Sequence, residues 1–486
     1  MTTSIPLLDL FSLLIETAEA PSHVAPLMVF ELPATAPAGT VADIVAAWRR
    51  AAPIPPFNYL PEFPRLGLPR WEVASEIDMR YHVRHFTLPA PGSMDQLREL
   101  IEVLHTDRLD RRRPLFQVWV IDGLEGSRFA VYQKIHHAII DGVSAIMRVI
   151  GSLSEAPSGK LLSPIHALQM GETKAPAGVV LADKLALLGG AVMRQAIANK
   201  ELARKLLQQS AATFAAGGAR DSGPFSAPST RMNTPFGIGR SLALFSLPLG
   251  AMRAVGKAFG GTLNDVAMAI IDDAVVHYLD ERGELPVKRM VAGCPVSTRE
   301  KGDTRAGTDA TMIFVPLGAP DATPAERLEQ IIGNTKAAKA ELRTLSKEAA
   351  KDYALLAIGL SEGIGAVGLR GRSAPLANLG ISNVPGPRMP LYLGRAKLQS
   401  LYPVSMLASG VGLNVTLTST AEEMHFGAVA GAAVMPDLQQ LEALCVKALA
   451  ALHTAARSRR RQDAVGGSPP ATPSRRRRPT RPARRC

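Results

Sequence analysis

The sequence predicts an α/β protein in which two halves of similar character are joined by a long connecting segment. Strand-like and helix-like hydrophobic patterns alternate in both halves of the 486-residue chain. The stretch between them, 155–232, is broken by clusters of Gly, Pro, Ser and Ala around an Ala-rich middle. An apolar fraction of 47% against 20% charged residues is ordinary for a protein with a large core. This length fits about three average domains or two larger ones equally well.

In the first half, the continuous apolar stretch 24–33 predicts a buried strand. Residues 41–50 and 93–107 have the apolar spacing of amphipathic helices. The β-rich run 128–135 predicts a further strand, and the apolar spacing after Gly142 predicts a helix.

The second half repeats this alternation. RSLALFSLPL and MVAGCPVSTR predict strands on either side of a long helix in GGTLNDVAMAIIDDAVVHYL. Two helices and then four strands follow, and a final helix is expected at about 437–455. The helices are expected at 324–345 and 347–360, and the strands at 377–384, 397–407, 411–419 and 424–429.

Adjacent histidines, His136 and His137, stand where the strand 128–135 ends, in the motif HHAIIDG. A neutral imidazole accepts a proton from a hydroxyl and passes it on within one turnover, because its ordinary pKa is near 6.5. Asp141 is expected to bond to the local backbone or to pair with a buried arginine, with Arg299 as one candidate, and so to orient an imidazole. Gly142 is expected to let the chain turn sharply.

Two other interpretations of the motif remain, a structural histidine and a metal site. A chance HHxxxDG is expected in roughly one chain per thousand, which disfavours a purely structural pair. His137 and Asp141 share a helical face as potential ligands, but no third ligand cluster with metal spacing lies nearby. The sequence therefore favours an acid–base site without a metal.

The motif lies within blocks that resemble the bacterial wax ester synthase/diacylglycerol acyltransferases, a family that uses HHxxxDG to move an acyl group from coenzyme A to an alcohol. The resemblance starts with PLLDLFSLLIETAEAPSHV and LPRWEVASEIDMRYHVRHFTLPAPG. It continues through LDRRRPLFQVWVIDGLEGSRFAVYQKIHHAIIDG and resumes with TLNDVAMA, PVSTR and ISNVPGP. It covers most of residues 5–455.

The resemblance implies two chloramphenicol-acetyltransferase-like domains, as in peptide-synthesis condensation domains, with a tunnel between them and HHxxxDG at its midpoint. Acyl-CoA would enter as a substrate from one side and a lipid alcohol from the other, with no other cofactor and no covalent acyl-enzyme. His137 would be the general base, because the HxxxD subset of the motif begins at the second histidine, and His136 would matter less.

Five further residues are expected to bind substrate or shape the site. Pro114, Leu115 and Phe116 match a family block that normally ends in Trp, and Phe116 keeps the bulk but loses the indole N–H donor. Asn264 and Asp265 open a predicted helix, where they can cap backbone N–H groups. The family has the same pair near the domain interface, so both roles are compatible.

The net charge of +12 is concentrated at one end of the chain. Residues 457–486 hold eleven Arg and one Asp, which leaves only about +2 for the rest, so a specific nucleic-acid-binding protein is not expected. The Pro-, Ser- and Arg-rich composition of this tail predicts disorder. The three arginines at 111–113 are expected to be solvated, with a coenzyme A phosphate as the alternative contact.

The sequence favours a cytoplasmic enzyme at the inner membrane face or on lipid droplets. Three widely spaced cysteines include no CxxC, no Lys or Arg precedes Arg49, and no uncharged apolar run approaches about 18 residues. Residues 179–214 include an amphipathic candidate for lipid contact. The predicted divisions are an N-terminal acyltransferase domain (1–155), a helical crossing (156–232), a C-terminal acyltransferase domain (233–456) and the tail (457–486).

Three functions are therefore compatible with the sequence. The first is an acyl-CoA-dependent O-acyltransferase that makes triacylglycerol from diacylglycerol, wax ester from a long-chain alcohol, or both. The second is an HHxxxDG acyltransferase acting on a polyketide or another small alcohol. The third is a non-catalytic protein that binds a lipid-droplet or membrane surface.

Overall fold

The computed structural model describes residues 2–65, 67–169, 225–297, 310–366 and 374–466. Arg299, the amphipathic candidate 179–214 and the last twenty residues of the tail lie outside these ranges. Residues 170–224, which are most of the predicted crossing segment, lie outside them as well.

The described elements alternate between strands and helices in both halves. The strands are β1 (Thr2–Ser4), β2 (His23–Glu31), β3 (Tyr59–Glu62), β4 (Arg70–Val73), β5 (Val83–Thr87), β6 (Phe116–Leu124), β7 (Arg128–His136), β8 (Arg240–Pro248), β9 (Val291–Ser297), β10 (Ala310–Pro316), β11 (Leu379–Val384), β12 (Tyr392–Leu393), β13 (Ala396–Val404), β14 (Leu413–Ser419) and β15 (Glu423–Gly431). The helices are α1 (Leu7–Ile15), α2 (Thr40–Arg50), α3 (Met79–His82), α4 (Met94–Thr106), α5 (Gly142–Gly151), α6 (Leu249–Phe259), α7 (Leu263–Asp280), α8 (Pro324–Arg343), α9 (Lys347–Ala366) and α10 (Gln440–Gly466).

The first six-stranded sheet has the order β12-β13-β2-β7-β6-β5. Its central strands β2 and β7 are buried along almost their whole length, which their continuous apolar sequences predict. They pair antiparallel, with His23 opposite His136. The HHAIIDG motif therefore begins at the end of a central strand rather than at a sheet edge.

The second six-stranded sheet has the order β10-β9-β11-β14-β15-β8. Helix α7 is buried on nearly all sides because it packs against α6, α8 and α10. β11 lies in the middle of this sheet and runs parallel to both of its neighbours, β9 and β14. Its carboxyl end is at Val384. The site is built at that end.

The second half of the sequence contributes two strands to the first sheet, so this sheet crosses the predicted boundary of the domain at 233–456. Strands β12 and β13 come from the second half of the sequence, but β13 pairs with β2 in the first sheet, with Val404 opposite Ala25. At the junction, a Cβ on Gly427 of β15 would lie 2.0 Å from the carbonyl oxygen of Pro403, so glycine is required for this close approach. The first sheet is therefore assembled from both ends of the chain.

The last helix extends beyond its predicted end at residue 455 and includes the first ten residues of the segment predicted to be disordered. Arg459 forms an ion pair with Glu329 of α8 and lies 4.9 Å above the ring of Phe259. Arg460 Nη2 donates to the carbonyl oxygen of Ala254 at 3.0 Å. These contacts bind the end of α10 to α6 and α8, which composition alone did not reveal.

The two described cysteines, Cys294 and Cys445, are buried and unpaired. Burial raises the pKa of the Cys294 thiol to about 12, and it also raises the pKa of Cys445. Both therefore pack as small apolar side chains. No helix within the described ranges is long and apolar enough to cross a membrane.

Candidate active site

The catalytic turn, residues 136–142, connects β7 to α5. Ile139 N–H donates to the carbonyl oxygen of His136 at 3.1 Å, which closes the turn. Asp141 is the N-cap of α5, and its Oδ1 accepts the Ser144 N–H at 2.7 Å. The carboxylate thus bonds to the local backbone.

Gly142 does not have the role that the sequence suggested. It is already the first residue of α5, and its φ is not in the left-handed region. A Cβ on Gly142 would lie in ordinary contact, 3.8 Å from Val384 Cγ2. The turn is made by residues 137–140. Gly142 instead lies next to Val384, the last residue of β11 in the second sheet.

His136 is fully buried. Nδ1 accepts the Ala138 N–H at 3.0 Å, so the ring proton resides on Nε2. Nε2 faces Glu16 Oε1 at 3.6 Å. With 1% of its side chain exposed, the His136 ring is closed off from a substrate hydroxyl.

His137 is partly exposed, unlike its neighbour. The backbone N–H of His137 donates to the carbonyl oxygen of Ser22 at 2.8 Å, which fixes the backbone at the start of the turn. Burial lowers the pKa of His137, the charge of Asp141 opposes this, and His136 lowers it further. The net direction is downward, so the ring is neutral and able to act as a base at neutral pH.

Glu16, which follows α1, is a residue of this site that sequence reasoning missed. Its Oε1 accepts the Ser22 N–H at 3.1 Å, and its Oε2 accepts Arg111 Nη2 at 2.7 Å. Burial alone would raise the pKa of Glu16, but bonds from His136, Arg111 and Ser22 lower it to about 2. Arg111, predicted to be solvated, is therefore the counter-ion of this carboxylate.

Helix α1 has an acidic residue near each of its ends, and both of these residues lie close to the catalytic turn. Asp9, in its first turn, is buried, and burial together with the nearby charge of Asp141 raises the pKa of Asp9 to about 7. Glu16, just beyond its last turn, faces His136. The only signal for these two residues was their position in the N-terminal block PLLDLFSLLIETAEAPSHV.

A second cluster of buried polar groups connects the two central strands, β2 and β7, to helix α4. His23 Nε2 lies 2.9 Å from the carbonyl oxygen of His105, and His105 Nδ1 lies 2.8 Å from the Tyr132 hydroxyl. Lys134 Nζ donates to the carbonyl oxygen of Leu104 at 2.7 Å, and thus to the end of α4. Burial lowers the pKa of Lys134 to about 8 and that of His105 to about 3. These groups hold β2, β7 and α4 together.

The residues at 114–116 support the motif through their backbone. The carbonyl oxygen of Leu115 accepts the His136 N–H at 3.0 Å. Phe116 is fully buried and stacks on His82 at 4.5 Å between ring centroids, with Phe57 edge-on at 5.4 Å. Phe116 is therefore a core residue at the start of β6, and Pro114 lies two residues before this strand.

Asn264 and Asp265 lie in the first turn of α7. The Asp265 side chain and Thr262 form a capping box, with Thr262 N–H donating to Asp265 Oδ2 at 2.7 Å. Asn264 Oδ1 accepts Asn383 Nδ2 of β11 at 2.7 Å. The next residue, Val384, contacts the turn at Gly142, but its side chain points to the opposite face of β11 from that of Asn383. Asp265 acts as a helix cap, and Arg299 lies outside the described residues.

Comparison with known families covers almost all of this chain. Residues 6–267 match the wax ester synthase/diacylglycerol acyltransferase catalytic domain, and residues 306–453 match the C-terminal domain of the same family. A protein of Mycobacterium tuberculosis named diacylglycerol O-acyltransferase Tgs4 is 33% identical over 462 residues, which is 93% of this chain and 97% of that protein. Another diacylglycerol O-acyltransferase of that organism, tgs2, is 35% identical over 439 residues, with 89% and 95% covered.

Solved structures agree with this assignment. The wax ester synthase/diacylglycerol acyltransferase of Marinobacter aquaeolei VT8 superposes with a TM-score of 0.74 at 30% identity, covering 94% of this chain and all of that one. The first condensation domain of the calcium-dependent antibiotic synthetase superposes with a TM-score of 0.55 at 15% identity, with 94% and 96% covered, and this likeness shows the fold alone. The predicted α/β architecture of two chloramphenicol-acetyltransferase-like domains is confirmed. The chain is an acyltransferase and belongs to the wax ester synthase/diacylglycerol acyltransferase family.

Proposed function

We propose that this enzyme transfers a fatty acyl group from acyl-CoA to the hydroxyl of diacylglycerol or of a long-chain alcohol, with His137 as the general base. The observation that carries the proposal is the contrast within the motif. His136 is fully buried, with Nδ1 accepting the Ala138 N–H and Nε2 facing Glu16, whereas His137 is partly exposed and has a lowered pKa. The names of the relatives support diacylglycerol as the acceptor, and the name of the Marinobacter protein adds wax esters.

The proposed reaction needs one proton carrier and no covalent enzyme intermediate. Neutral His137 takes the proton of the acceptor hydroxyl while that oxygen forms a bond to the thioester carbon. The carbonyl electron pair moves onto its oxygen, and a tetrahedral oxyanion results. When this intermediate collapses, the C–S bond breaks and the coenzyme A thiolate receives the proton from His137. Asp141 and Ser22 hold the turn in place.

Labelled acyl-CoA offered with diacylglycerol, long-chain alcohols and small polyketide-like alcohols tests the acceptor class. Ester formed only with the small alcohols would favour the second function, and binding to lipid without any ester would favour the third. His137→Ala should lower kcat by about 10²–10⁴-fold and leave acyl-CoA binding nearly unchanged. His277→Ala, which removes an exposed histidine on α7, is the matched control and should keep full activity. An active His137→Ala protein would rule out His137 as the base.

We also propose that the enzyme works at the surface of an anionic membrane or lipid droplet. The acceptor is insoluble, so the protein must reach it at an interface. Arg457, Arg460 and Arg461 are exposed on the last turns of α10, and Arg253 and Lys257 are exposed on the adjacent α6. Together with the remaining arginines of the tail they form a cationic end, which is attracted to acidic headgroups.

A further inference from the structure

The ion pair between Arg111 and Glu16 joins two separate parts of the chain next to the catalytic turn. Arg111 lies between α4 and β6, and its Nη2 donates to Glu16 Oε2 at 2.7 Å and to the carbonyl oxygen of Leu13 at 2.6 Å. Arg111 Nε adds a third bond, to Glu16 Oε2 at 3.2 Å. The guanidinium therefore fixes both the carboxylate and the last turn of α1.

The same carboxylate leads to the proposed base through two consecutive hydrogen bonds. Glu16 Oε1 accepts the Ser22 N–H at 3.1 Å, and the carbonyl oxygen of Ser22 accepts the backbone N–H of His137 at 2.8 Å. Oε1 also faces His136 Nε2 at 3.6 Å, and the Glu16 side chain is only 1% exposed. The orientation of Glu16 thus affects the position of the backbone that carries His137.

We propose that Arg111 is a positioning residue for acyl transfer, because it holds the Glu16 carboxylate that places the His137 backbone through Ser22. The inference rests on the proposed function, in which His137 is the base. A base must lie within hydrogen-bond reach of the acceptor hydroxyl, and a small displacement lowers the rate steeply. In this role Arg111 touches neither the substrate nor the base and acts through Glu16.

Arginine suits this role better than lysine does. The planar guanidinium presents its N–H groups at fixed angles, so one side chain bonds Glu16 Oε2 twice and the carbonyl oxygen of Leu13 once. An ammonium group keeps the charge but not this fixed geometry. The Arg111 side chain is 35% exposed, so a small cation from solvent can take the place of a truncated side chain.

Arg111→Met tests the proposal. It should lower kcat about 10- to 10²-fold with little change in the KM for acyl-CoA, because the base is displaced while the substrate contacts remain. Loss of the guanidinium raises the pKa of Glu16 above about 2, because burial then outweighs more of the remaining bonds. The ratio of variant to wild-type kcat should therefore fall further as the pH is lowered from 7 and Glu16 gains a proton. His136 and Lys134, which also interact with Glu16, are present in both proteins, so this ratio isolates the effect of Arg111.

Two further variants separate lost positioning from a folding defect. Arg111→Lys keeps a cation beside Glu16 and should retain more activity than Arg111→Met. In Arg111→Ala, guanidinium chloride at a non-denaturing concentration should raise kcat, whereas sodium chloride at the same ionic strength should not. Neither salt should raise the kcat of wild type. If Arg111→Met fails to fold, the kcat, the KM and the pH profile are measured on Arg111→Lys instead.

Arg231→Met is the matched control. Arg231 pairs with Glu284 at 2.9 Å in the second half, and its side chain is 28% exposed, so this variant should keep wild-type kcat and its pH profile. An Arg111→Met enzyme within about twofold of wild-type kcat, or a loss that is constant across pH and is not rescued by guanidinium, would overturn the inference. A raised KM for acyl-CoA at unchanged kcat would also overturn it. The His137→Ala assay run beside it reports separately on the proposed base.

Discussion

Glu16 beside the catalytic turn and Asp272 on α7 are both carboxylates buried with an arginine, yet their pKa values shift in opposite directions. Glu16 is bonded by Arg111, His136 and the Ser22 N–H, and these groups outweigh burial and lower its pKa to about 2. Asp272 accepts Arg327 Nη1 at 2.6 Å and the Gly318 N–H at 2.8 Å. At Asp272 burial outweighs these bonds and raises the pKa to about 6.

The difference follows from what surrounds each group. Asp273 lies beside Asp272 and also contacts Arg327, with Nε 3.5 Å from its Oδ1, so one guanidinium serves two carboxylates. Among the described residues, Arg111 pairs with no carboxylate other than Glu16, and His136, which also faces Glu16, precedes the proposed base. The Glu16 cluster therefore fixes a reactive loop, whereas the Asp272 cluster joins α7 to α8 in the core of the second half.

Breaking the Asp272 cluster should have the largest effect on folding. Arg327 is almost fully buried, and Arg327→Met would leave two acidic groups without their partner. We expect a loss of about 3–5 kcal/mol in the free energy of unfolding, which denaturant titration measures. The double variant Arg327→Met/Asp272→Leu should recover much of that loss, since it removes the uncompensated charge. A single variant as stable as wild type would show that the ion pair does not hold these helices together.

The pH dependence of stability should separate the two carboxylates. Glu16 has a depressed pKa, so its stabilisation is fully present above its ordinary value of 4.5 and is lost as the pH falls through about 2. Asp272 has a raised pKa, so its penalty is full above about 6 and disappears as the pH falls to its ordinary value of 3.8. Between pH 7 and 5, the melting temperature of wild type should therefore rise relative to that of Asp272→Asn, while the difference between wild type and Glu16→Gln stays constant. Parallel trends would contradict this assignment.

Removing the Asp141 side chain should have a smaller effect on stability than on rate. Asp141→Ala loses the N-cap of α5 and should cost about 1 kcal/mol, whereas Asp141→Asn keeps a good cap. Both variants remove the charge beside His137 and should lower kcat. Thermal melting and kinetics on the two proteins thus distinguish the cap from the charge. If Asp141→Asn were as active as wild type, the charge would not matter to the base.

Local sequence patterns predicted many of the elements and the position of the motif, but not β1, β3–β6, β10, β12, α1, α3 or α6. Helices predicted at 41–50 and 93–107 are found at Thr40–Arg50 and Met94–Thr106, because apolar periodicity is a property of the segment itself. The same holds for the strand that ends at His136. The family resemblance supplied the two-domain fold, which strand–helix alternation alone does not specify.

Long-range contacts were the part that sequence patterns could not supply. The pairing of β13 with β2 crosses the predicted domain boundary, and both strands read only as buried apolar runs. Glu16 lies 3.6 Å from His136, although the two residues are far apart in the sequence. Arg111 pairs with Glu16, whereas its charge run predicts a solvated side chain. An acidic residue looks the same in sequence whether it faces water or a buried histidine. The supporting partners of the motif were therefore missed, although the motif itself was found.

Loss of the exposed ion pair between Arg459 and Glu329 should have the smallest effect on stability. Because Arg459 belongs to the tail, truncations of the tail test this expectation. Both side chains are about half exposed, so solvent screens the pair, and it should contribute roughly 0–1 kcal/mol, unlike the buried Arg327 pair. Truncation before residue 467 should leave stability unchanged, and truncation before 457 should lower it only slightly. Neither should change turnover on a short-chain, water-soluble acceptor, because the site lies in the body of the protein.

Vesicle binding should respond to the two truncations in steps. Each arginine near an anionic surface contributes on the order of 1 kcal/mol, so removal of 467–486 should weaken sedimentation with anionic vesicles, and removal of 457–486 should weaken it further. Added salt should weaken binding of the full-length protein in the same way, because it screens these charges. Neutral vesicles are the control, and binding to them should not depend on the tail. Equal binding of all three proteins to anionic vesicles would exclude the cationic end as the membrane contact.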